Sequence, residues 1–303
     1  MRKVLPKDKN INTLLHTAAQ NGNIRILELL LKKGTLIRVK DKNESTPLHH
    51  AAQNGHTNAM ELLLTKYASI EATDKHGNTP LHRAAQNGRT SMVELLLENG
   101  ALIEAVGYYN RTPLHQAANN GHTSTVELLL TKGVQIEVTD IGGNTPLHLA
   151  AQNGYTSTVE LLLENGASIE ATNNQNKTPL HLAAQNGYTS TVELLLENGA
   201  SIEARNNQNK TPLHLAISYG HTSMVELLLE NGALIEAVSC YSKTPLHLAI
   251  QGRHTSTAGL LLGKGAQTEA TDKYGNTPLH LAVQNAILVW WSYFLRKVPR
   301  LKL

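Results

Sequence analysis

The chain has 303 residues, with 27 lysines and arginines against 24 aspartates and glutamates and a formal net charge of +3. Its single cysteine, Cys240, excludes an internal disulfide and a thiolate-rich zinc site, and it favours a reducing, cytoplasmic compartment. No signal peptide is evident, and no apolar run reaches the roughly 20 residues that a membrane-spanning helix needs.

The chain begins with a basic polar leader, residues 1–12. Residues 1–40 carry nine lysines and arginines and residues 296–303 carry four more, whereas the segment between them has 14 basic and 22 acidic residues. Nucleic-acid-binding proteins usually carry their basic residues as a stripe along the working surface. Basic ends therefore argue against nucleic acid as the partner. Binding of nucleic acid or of an anionic membrane through the basic termini is kept as an alternative function.

A 33-residue repeat organises the rest of the chain. The tetrapeptide Thr-Pro-Leu-His recurs eight times with this spacing, and a Thr-Leu-Leu-His variant begins at Thr13, with no insertion or deletion up to Asn285. A strict period of this length marks stacked supersecondary units, each too small to bury its own apolar face. We number these units repeats 1 to 9, and they begin at residues 13, 46, 79, 112, 145, 178, 211, 244 and 277.

Each repeat predicts two helices followed by an extended loop. Thr followed by Pro is typical of a helix start, and the first helix continues through Leu-His-x-Ala-Ala-Gln-Asn to a Gly that ends it. Val-Glu-Leu-Leu-Leu supplies the buried face of the second helix, and its start is predicted as a capping box at Ser124–Glu127, Ser157–Glu160 and Ser190–Glu193. A loop such as Ala68–Asn78 follows, with a turn at its tip.

At these residues the chain resembles the ankyrin repeat family, through Thr-Pro-Leu-His-x-Ala-Ala and Leu-Leu-Leu-x-x-Gly-Ala over residues 13–285. The resemblance implies an all-α solenoid of helix-turn-helix pairs with projecting hairpin loops. It also implies a non-enzymatic scaffold that binds another protein through its hairpin tips and the concave face of its first helices. The array is further similar to ankyrin proteins of intracellular bacteria, which implies an effector delivered to a host cell.

Nine histidines recur at the last position of the motif. Neighbouring copies should lie about a helix diameter apart, roughly 10 Å, which is too far to share a metal ion. We therefore interpret them as structural hydrogen-bonding groups. They are His16, His49, His82, His115, His148, His181, His214, His247 and His280.

Seven glutamates recur just after the apolar residue of the loop. Two interpretations are open for them: a solvated edge, or an acidic ladder that attracts a basic partner. No repeat carries a nucleophile–base pair, a phosphate loop or a metal constellation that its neighbours lack. We therefore expect no catalytic residue, no cofactor, no metal and no small-molecule substrate. The glutamates are Glu71, Glu104, Glu137, Glu170, Glu203, Glu236 and Glu269.

Positions that differ between repeats are the candidates for partner binding. The residue after the motif histidine is polar in repeats 1–4 and Leu in repeats 5–9, and we predict contacts at the polar ones. Tyrosine is favoured in binding hot spots because it brings a large contact area with few rotatable bonds. The candidates are His50, Arg83 and Gln116 after the motif; His76, Tyr108, Tyr109, Tyr241 and Tyr274 at the tips; and Tyr155 and Tyr188 near the end of the first helix.

Residues 286–303 depart from the repeat and form an apolar and basic tail. Deleting one guanine from a plausible coding sequence of a normal repeat reproduces this tail residue for residue, so we interpret it as a frameshift product. The second alternative function follows from it: a truncated or decayed fragment of a longer ankyrin protein. We expect the chain to be a monomer whose partner is an unknown protein.

Overall fold

The computed structural model describes residues 9–284, with side chains from residue 13 onwards, so most of the leader and the predicted frameshift tail lie outside the described residues. This part of the chain is helical and contains no strand. None of its helices has the length and apolarity needed to span a bilayer.

Seventeen α-helices follow the predicted order within residues 9–284, two in each of repeats 1–8 and one in repeat 9. The first helices are α1 Lys9–Gln20, α3 Pro47–Asn54, α5 Pro80–Gln86, α7 Pro113–Asn119, α9 Pro146–Gln152, α11 Pro179–Asn186, α13 Pro212–Ser218, α15 Pro245–Gln251 and α17 Pro278–Gln284. The second helices are α2 Ile24–Lys32, α4 Thr57–Thr65, α6 Thr90–Glu98, α8 Thr123–Thr131, α10 Thr156–Glu164, α12 Thr189–Glu197, α14 Thr222–Glu230 and α16 Thr255–Gly263.

The chain divides into two units, residues 1–150 with 157–167 and residues 151–156 with 168–303. In the first unit the first helices α1, α3, α5 and α7 stack in sequence, and the second helices α2, α4, α6 and α8 form another row. In the second unit α11, α13, α15 and α17 stack in the same way, and α14 packs against α16.

The core of each unit is the apolar seam between neighbouring helices. In repeat 2, Leu48, Ala51 and Ala52 of α3 and Met60 and Leu63 of α4 are buried. The paired alanines bring first helices close together, because a methyl group is the only side chain between their backbones. Each buried leucine contributes roughly 1.5–3 kcal/mol relative to an exposed one, so neighbouring repeats stabilise each other mainly through this seam.

The first helix starts where the Thr-Pro pair predicts. Thr46 is its N-cap in repeat 2, with extended backbone, and Pro47 is the first helical residue. The N-cap and the motif histidine form a capping box, in which the histidine takes the place that Glu or Gln usually holds. The helix ends at Gly55, whose φ of 79° is left-handed, as the predicted C-terminal Gly requires.

The start of the second helix was predicted wrongly. Helix α8 has His122 as its N-cap, so Ser124 lies inside the helix and caps nothing. The helix starts earlier because the His122 carbonyl already accepts the N–H of Val126, at 3.0 Å. The threonine that opens the helix bonds to the next repeat instead, and Thr123 Oγ1 lies 2.8 Å from Thr158 Oγ1. Ser157 and Ser190 lie inside α10 and α12 in the same way.

The motif histidines join neighbouring repeats. His49 Nδ1 accepts the backbone N–H of Thr46 at 3.1 Å, and Nε2 lies 3.0 Å from the carbonyl oxygen of Asn78 in the next loop. Because a carbonyl only accepts, Nε2 carries the proton and the ring is the neutral Nε2–H tautomer. The same bridge recurs at His82, His115, His181, His214 and His247.

Burial fixes this neutral state. It lowers the pKa of His49, His82 and His214 to about 4, although the hydrogen bond to the next repeat's carbonyl opposes the shift. The pKa of His115 and His247 is lowered for the same reason. The structural interpretation of the motif histidines is thus supported by their contacts.

We predict that the free energy of unfolding falls as the pH is lowered from 6.5 towards 4. In this window the unfolded chain binds protons at histidines that stay neutral in the folded chain, so acid favours unfolding. Each histidine that is protonated in the unfolded chain and neutral in the folded chain lowers the free energy of unfolding by up to about 1.4 kcal/mol per pH unit. Urea unfolding at pH 7, 5.5 and 4.5 measures this slope, and the variant His82→Gln should reduce it. A constant free energy of unfolding across these pH values would contradict the assignment.

Candidate functional site

Eight loop tips precede the motif threonines, and we call each five-residue segment a tip. In most of them the first residue is Asp or Asn, and its side chain closes the turn. Asp74 Oδ1 accepts the N–H groups of His76 and Asn78, at 2.8 and 3.0 Å. The tips are residues 41–45, 74–78, 107–111, 140–144, 173–177, 206–210, 239–243 and 272–276.

Neighbouring tips are also hydrogen-bonded to each other. The N–H of Lys75 donates to the carbonyl of Asn43 at 2.9 Å, and the second residue of four further tips makes the equivalent bond. Tyr108 differs, because its N–H donates to Asn78 Oδ1 at 3.2 Å. Most of the middle tip residues are exposed, among them His76, Tyr109, Gln175 and Tyr241. The further bonds run from Ile141 to Tyr109, from Asn207 to Gln175, from Cys240 to Gln208 and from Lys273 to Tyr241.

The tips 107–111 and 239–243 differ from the others because each forms a short 3₁₀ turn with a tyrosine in left-handed conformation. The φ angle is 58° at Tyr109 and 67° at Tyr241. A left-handed backbone conformation costs roughly 1–2 kcal/mol for a residue with a side chain, and it is rarer for bulky side chains. Gly107 opens the first of these turns, where a Cβ would lie only 2.5 Å from Asn78 Oδ1, so an Asp cannot take its place.

The predicted tip residues come together in two aromatic clusters, one in each unit. Cluster 1 consists of His76, Tyr108 and Tyr109, with ring centroids 4.8 Å apart for His76 and Tyr108 and 4.0 Å apart for the two tyrosines. A side-chain hydrogen bond with Tyr109 raises the pKa of Tyr108. The two tyrosines are 44% and 52% exposed, so about half of each ring is open to a partner.

Cluster 2 consists of Tyr241, Lys273 and Tyr274. The two tyrosine rings are nearly parallel, with an interplanar angle of 16° and centroids 6.4 Å apart. Lys273 Nζ lies 3.7 Å from the Tyr241 centroid and 4.8 Å from that of Tyr274. Cation–π contacts of this kind contribute roughly 0.5–1 kcal/mol at exposed sites, so the lysine helps to hold the rings in place.

The polar residues after the motif histidine have partners within the protein. His50 Nε2 lies 2.9 Å from Asp41 Oδ2, and Arg83 forms an ion pair with Asp74 through Nε, at 2.9 Å, and Nη2. Burial opposes the ionisation of Asp74, but hydrogen bonds from the His76 N–H and from Arg83 prevail and hold the pKa of the carboxyl below its usual value. His50 and Arg83 therefore complete the turn of their own tip.

Gln116 is only 8% exposed, which leaves little of its side chain for a partner to contact. The structure thus argues against Gln116 as a binding residue. The sequence carries only a partial signal of the pairing of His50 and Arg83 with their tips. The residue nine places after Asp41 and Asp74 is basic, but it is Leu after Asp140 and Asp272, as it is after Asn173 and Asn206.

Tyr155 and Tyr188 lie in the turn between the two helices of their repeats, directly before α10 and α12. Each is 38% exposed. A Cβ on Gly154 would collide with the ring of Tyr188, so this ring packs closely on the preceding repeat. Histidine holds the same position in other repeats, where His122 Nε2 donates to the Gln86 carbonyl at 3.0 Å. Tyr188 therefore contributes to the contact between repeats and exposes only its outer part.

The recurring glutamates also bond to the next repeat. Glu71 Oε1 accepts the backbone N–H of Leu102 at 2.9 Å, and Glu104 accepts that of Gln135 at 3.0 Å. Neither interpretation from the sequence, a solvated edge or an acidic ladder, included this hydrogen bond to the next repeat. The equivalent bonds reach Ser201, Leu234 and Gln267 from Glu170, Glu203 and Glu236.

A family model of ankyrin repeats, three copies long, matches residues 15–107, 103–173, 169–239 and 234–289. The chain belongs to the ankyrin repeat family. Its structure is similar to the crystal structure of the human ASB11 ankyrin repeat domain, with 32% sequence identity and a TM-score of 0.66 over 73% of this chain and 98% of that chain. No curated protein matches the chain.

Ankyrin repeats generally mediate protein–protein interaction. The contacts described above separate the predicted residues that bond within the protein from those whose side chains stay exposed to a partner. Within residues 13–284 no three His, Cys, Asp or Glu side chains lie close enough together to hold a metal ion. The exposed candidates that remain are the two aromatic clusters of the ankyrin tips.

We predict that Arg83→Leu destabilises the protein by about 1–3 kcal/mol, because the buried Asp74 carboxylate loses its ionic partner. The double variant Asp74→Asn with Arg83→Leu copies the pair of Asn173 in repeat 5 and Leu182 in repeat 6, and it should recover at least half of this loss. Urea unfolding measures both. Lys264→Ala, which removes an exposed ion pair to Glu230, is the control and should change the free energy of unfolding by less than about 0.5 kcal/mol. A double variant as unstable as the single one would contradict the pairing.

Proposed function

We propose that this ankyrin array is a non-enzymatic scaffold that binds another protein through its loop tips and the surface of the first helices beside them. The observation that supports this most strongly is the pair of aromatic clusters on the tips. Ankyrin repeat proteins are typically non-enzymatic scaffolds, and the proposal assigns no catalytic group.

The backbone at the tips argues for binding over incidental exposure. Tyr109 and Tyr241, each the third residue of its tip, hold a left-handed conformation at a cost of roughly 1–2 kcal/mol each, whereas in tips such as 74–78 and 173–177 only the fourth residue, Gly77 or Asn176, is left-handed. Strained residues are enriched at sites where a ligand binds, but strain alone does not mark such a site, because Tyr67 is equally left-handed outside the tips. Aromatic stacking offsets part of the cost, at roughly 0.5–1.5 kcal/mol per pair, yet half of each ring still faces outwards.

The clusters are also held in place before a partner arrives. Ring stacking and Lys273 restrict the rotamers of the tip tyrosines, so little side-chain entropy remains to be lost on binding. A rigid, half-exposed aromatic pair is the usual form of a binding hot spot. The tips of repeats 5 and 6, with Asn-Asn-Gln-Asn-Lys in both, lack such anchors.

The other proposed functions rest on different evidence. Binding of nucleic acid or of an anionic membrane would use the basic residues of segments 1–40 and 296–303. The fragment hypothesis rests on residues 286–303, which lie outside the described part. The role of a host-directed effector, and delivery to a host cell, stay predictions from the resemblance. The contacts described at the tips support none of these alternatives.

We predict that the variant Tyr108→Ser with Tyr109→Asn lowers the recovery of bound protein at least tenfold in affinity purification with the full chain. Hot-spot tyrosines contribute about 2 kcal/mol or more each, and Asn is chosen at 109 because it accepts the left-handed backbone. Quantitative mass spectrometry of the proteins retained by each variant provides the measurement.

The control for this experiment is Tyr67→Gly. Tyr67 is 83% exposed and left-handed, with φ of 65°, but it follows α4 and lies on no tip. This variant removes an exposed tyrosine without touching the proposed site, so it should retain the partners of the wild type. Equal recovery by the wild type, the control and the double variant would contradict the site.

A further inference from the structure

A cavity of about 300 Å³ lies between two tips of the second unit, 173–177 and 206–210. Its lining includes the last residue of each tip, Lys177 and Lys210, together with Leu215 and Tyr219 of repeat 7. Small-molecule pockets span roughly 300–1,000 Å³, so this volume suits one inserted side chain or one small anion.

A sequence change in repeat 7 leaves Lys210 without the amide that holds the equivalent lysines. Lys177 Nζ donates to Gln185 Oε1 and Lys243 Nζ to Gln251 Oε1, both at 2.7 Å. The residue equivalent to these glutamines in repeat 7 is Ser218, and its hydroxyl donates to the His214 carbonyl instead. The shorter side chain leaves open space beside Lys210.

The cavity also has an excess of positive charge. Its two tips begin with Asn173 and Asn206, where four of the six other tips have Asp, and the ion pairs found among residues 13–284 do not include Lys210. Burial, followed by the charge of Lys210, lowers the pKa of Lys177 below its usual value. Two lysines that face one cavity in this way favour an anion between them.

We propose that this cavity binds the carboxylate of a glutamate or aspartate side chain that a partner protein inserts between the two tips. Lys210 supplies the ionic contact, and charge-assisted hydrogen bonds of this kind are roughly twice as strong as neutral ones. The exposed amides of Gln175 and Gln208 line the same cavity and offer further N–H donors, while the Tyr219 ring offers an apolar surface to the methylene groups. The inference rests on the proposed function, since it names one kind of residue that the bound protein presents.

The test is an NMR titration of the full chain with three probes: N-acetyl-Gly-Glu-Gly-amide, the matched Gln peptide and inorganic phosphate. We expect saturable shifts of the Asn207 and Gln208 backbone amides with the Glu peptide and none with the Gln peptide. The variant Lys210→Gln should weaken binding of the Glu peptide at least fivefold. Ser218→Gln should weaken it as much, because it restores the missing amide and fills the cavity while every charge is kept.

Lys243→Gln is the matched control, since it removes a lysine at the same repeat position that does not line the cavity; it should leave binding unchanged within twofold. Equal shifts with the Glu and Gln peptides, or full binding by Lys210→Gln, would overturn the proposal. Tighter binding of phosphate than of the Glu peptide would overturn the assignment to an acidic side chain. The titration needs no partner protein. If it shows no binding, the proposed function of the tip tyrosines is unaffected, and if the tyrosine variants fail to lower partner recovery, the titration can still show binding at the cavity.

Discussion

The hydrogen-bond bridge made by the motif histidine is the contact on which the rest of the structure depends. In repeat 2, His49 uses Nδ1 to complete the start of its own helix at Thr46 and Nε2 to hold the carbonyl of Asn78 in the next loop. One buried ring thus fixes where the first helix begins and where the next tip ends. Because both nitrogens are committed, only the neutral imidazole fits, and burial favours that form.

The other polar contacts follow the same rule and reach only the adjacent repeat. Glu71 accepts from Leu102, and Thr90 lies 2.8 Å from Thr125. In a repeat protein the stability is approximately a sum of terms within repeats and between neighbours. A residue outside this set of contacts can change without disturbing the fold. Tyr109 and Ser218 use only their backbone carbonyls in these bonds between repeats, so their side chains were free to change, and they produce an aromatic cluster and a cavity on an otherwise regular array.

The sequence predicted the helices well because period, N-cap and C-terminal Gly are local signals; Thr46, Pro47 and Gly55 stand where the motif places them. It failed at Ser124 because a capping box was read within one repeat, whereas the opening Thr123 bonds across to the next one. Arg83 and Gln116 were predicted as contact residues because the sequence does not show that Arg83 pairs with Asp74 or that Gln116 is buried. The tip tyrosines were found because they break the pattern, but their stacking in clusters needed the three-dimensional structure.

The most direct test of this account is the ionisation state of the motif histidines, measured by ¹⁵N NMR of the imidazole rings between pH 7 and 4. We expect His49, His82 and His214 to be neutral at pH 7, to carry their proton on Nε2 and to titrate near pH 4 while the fold persists. Rings that carry the proton on Nδ1, or that titrate near the ordinary histidine value of about 6.5 in the folded protein, would contradict the bridge between repeats.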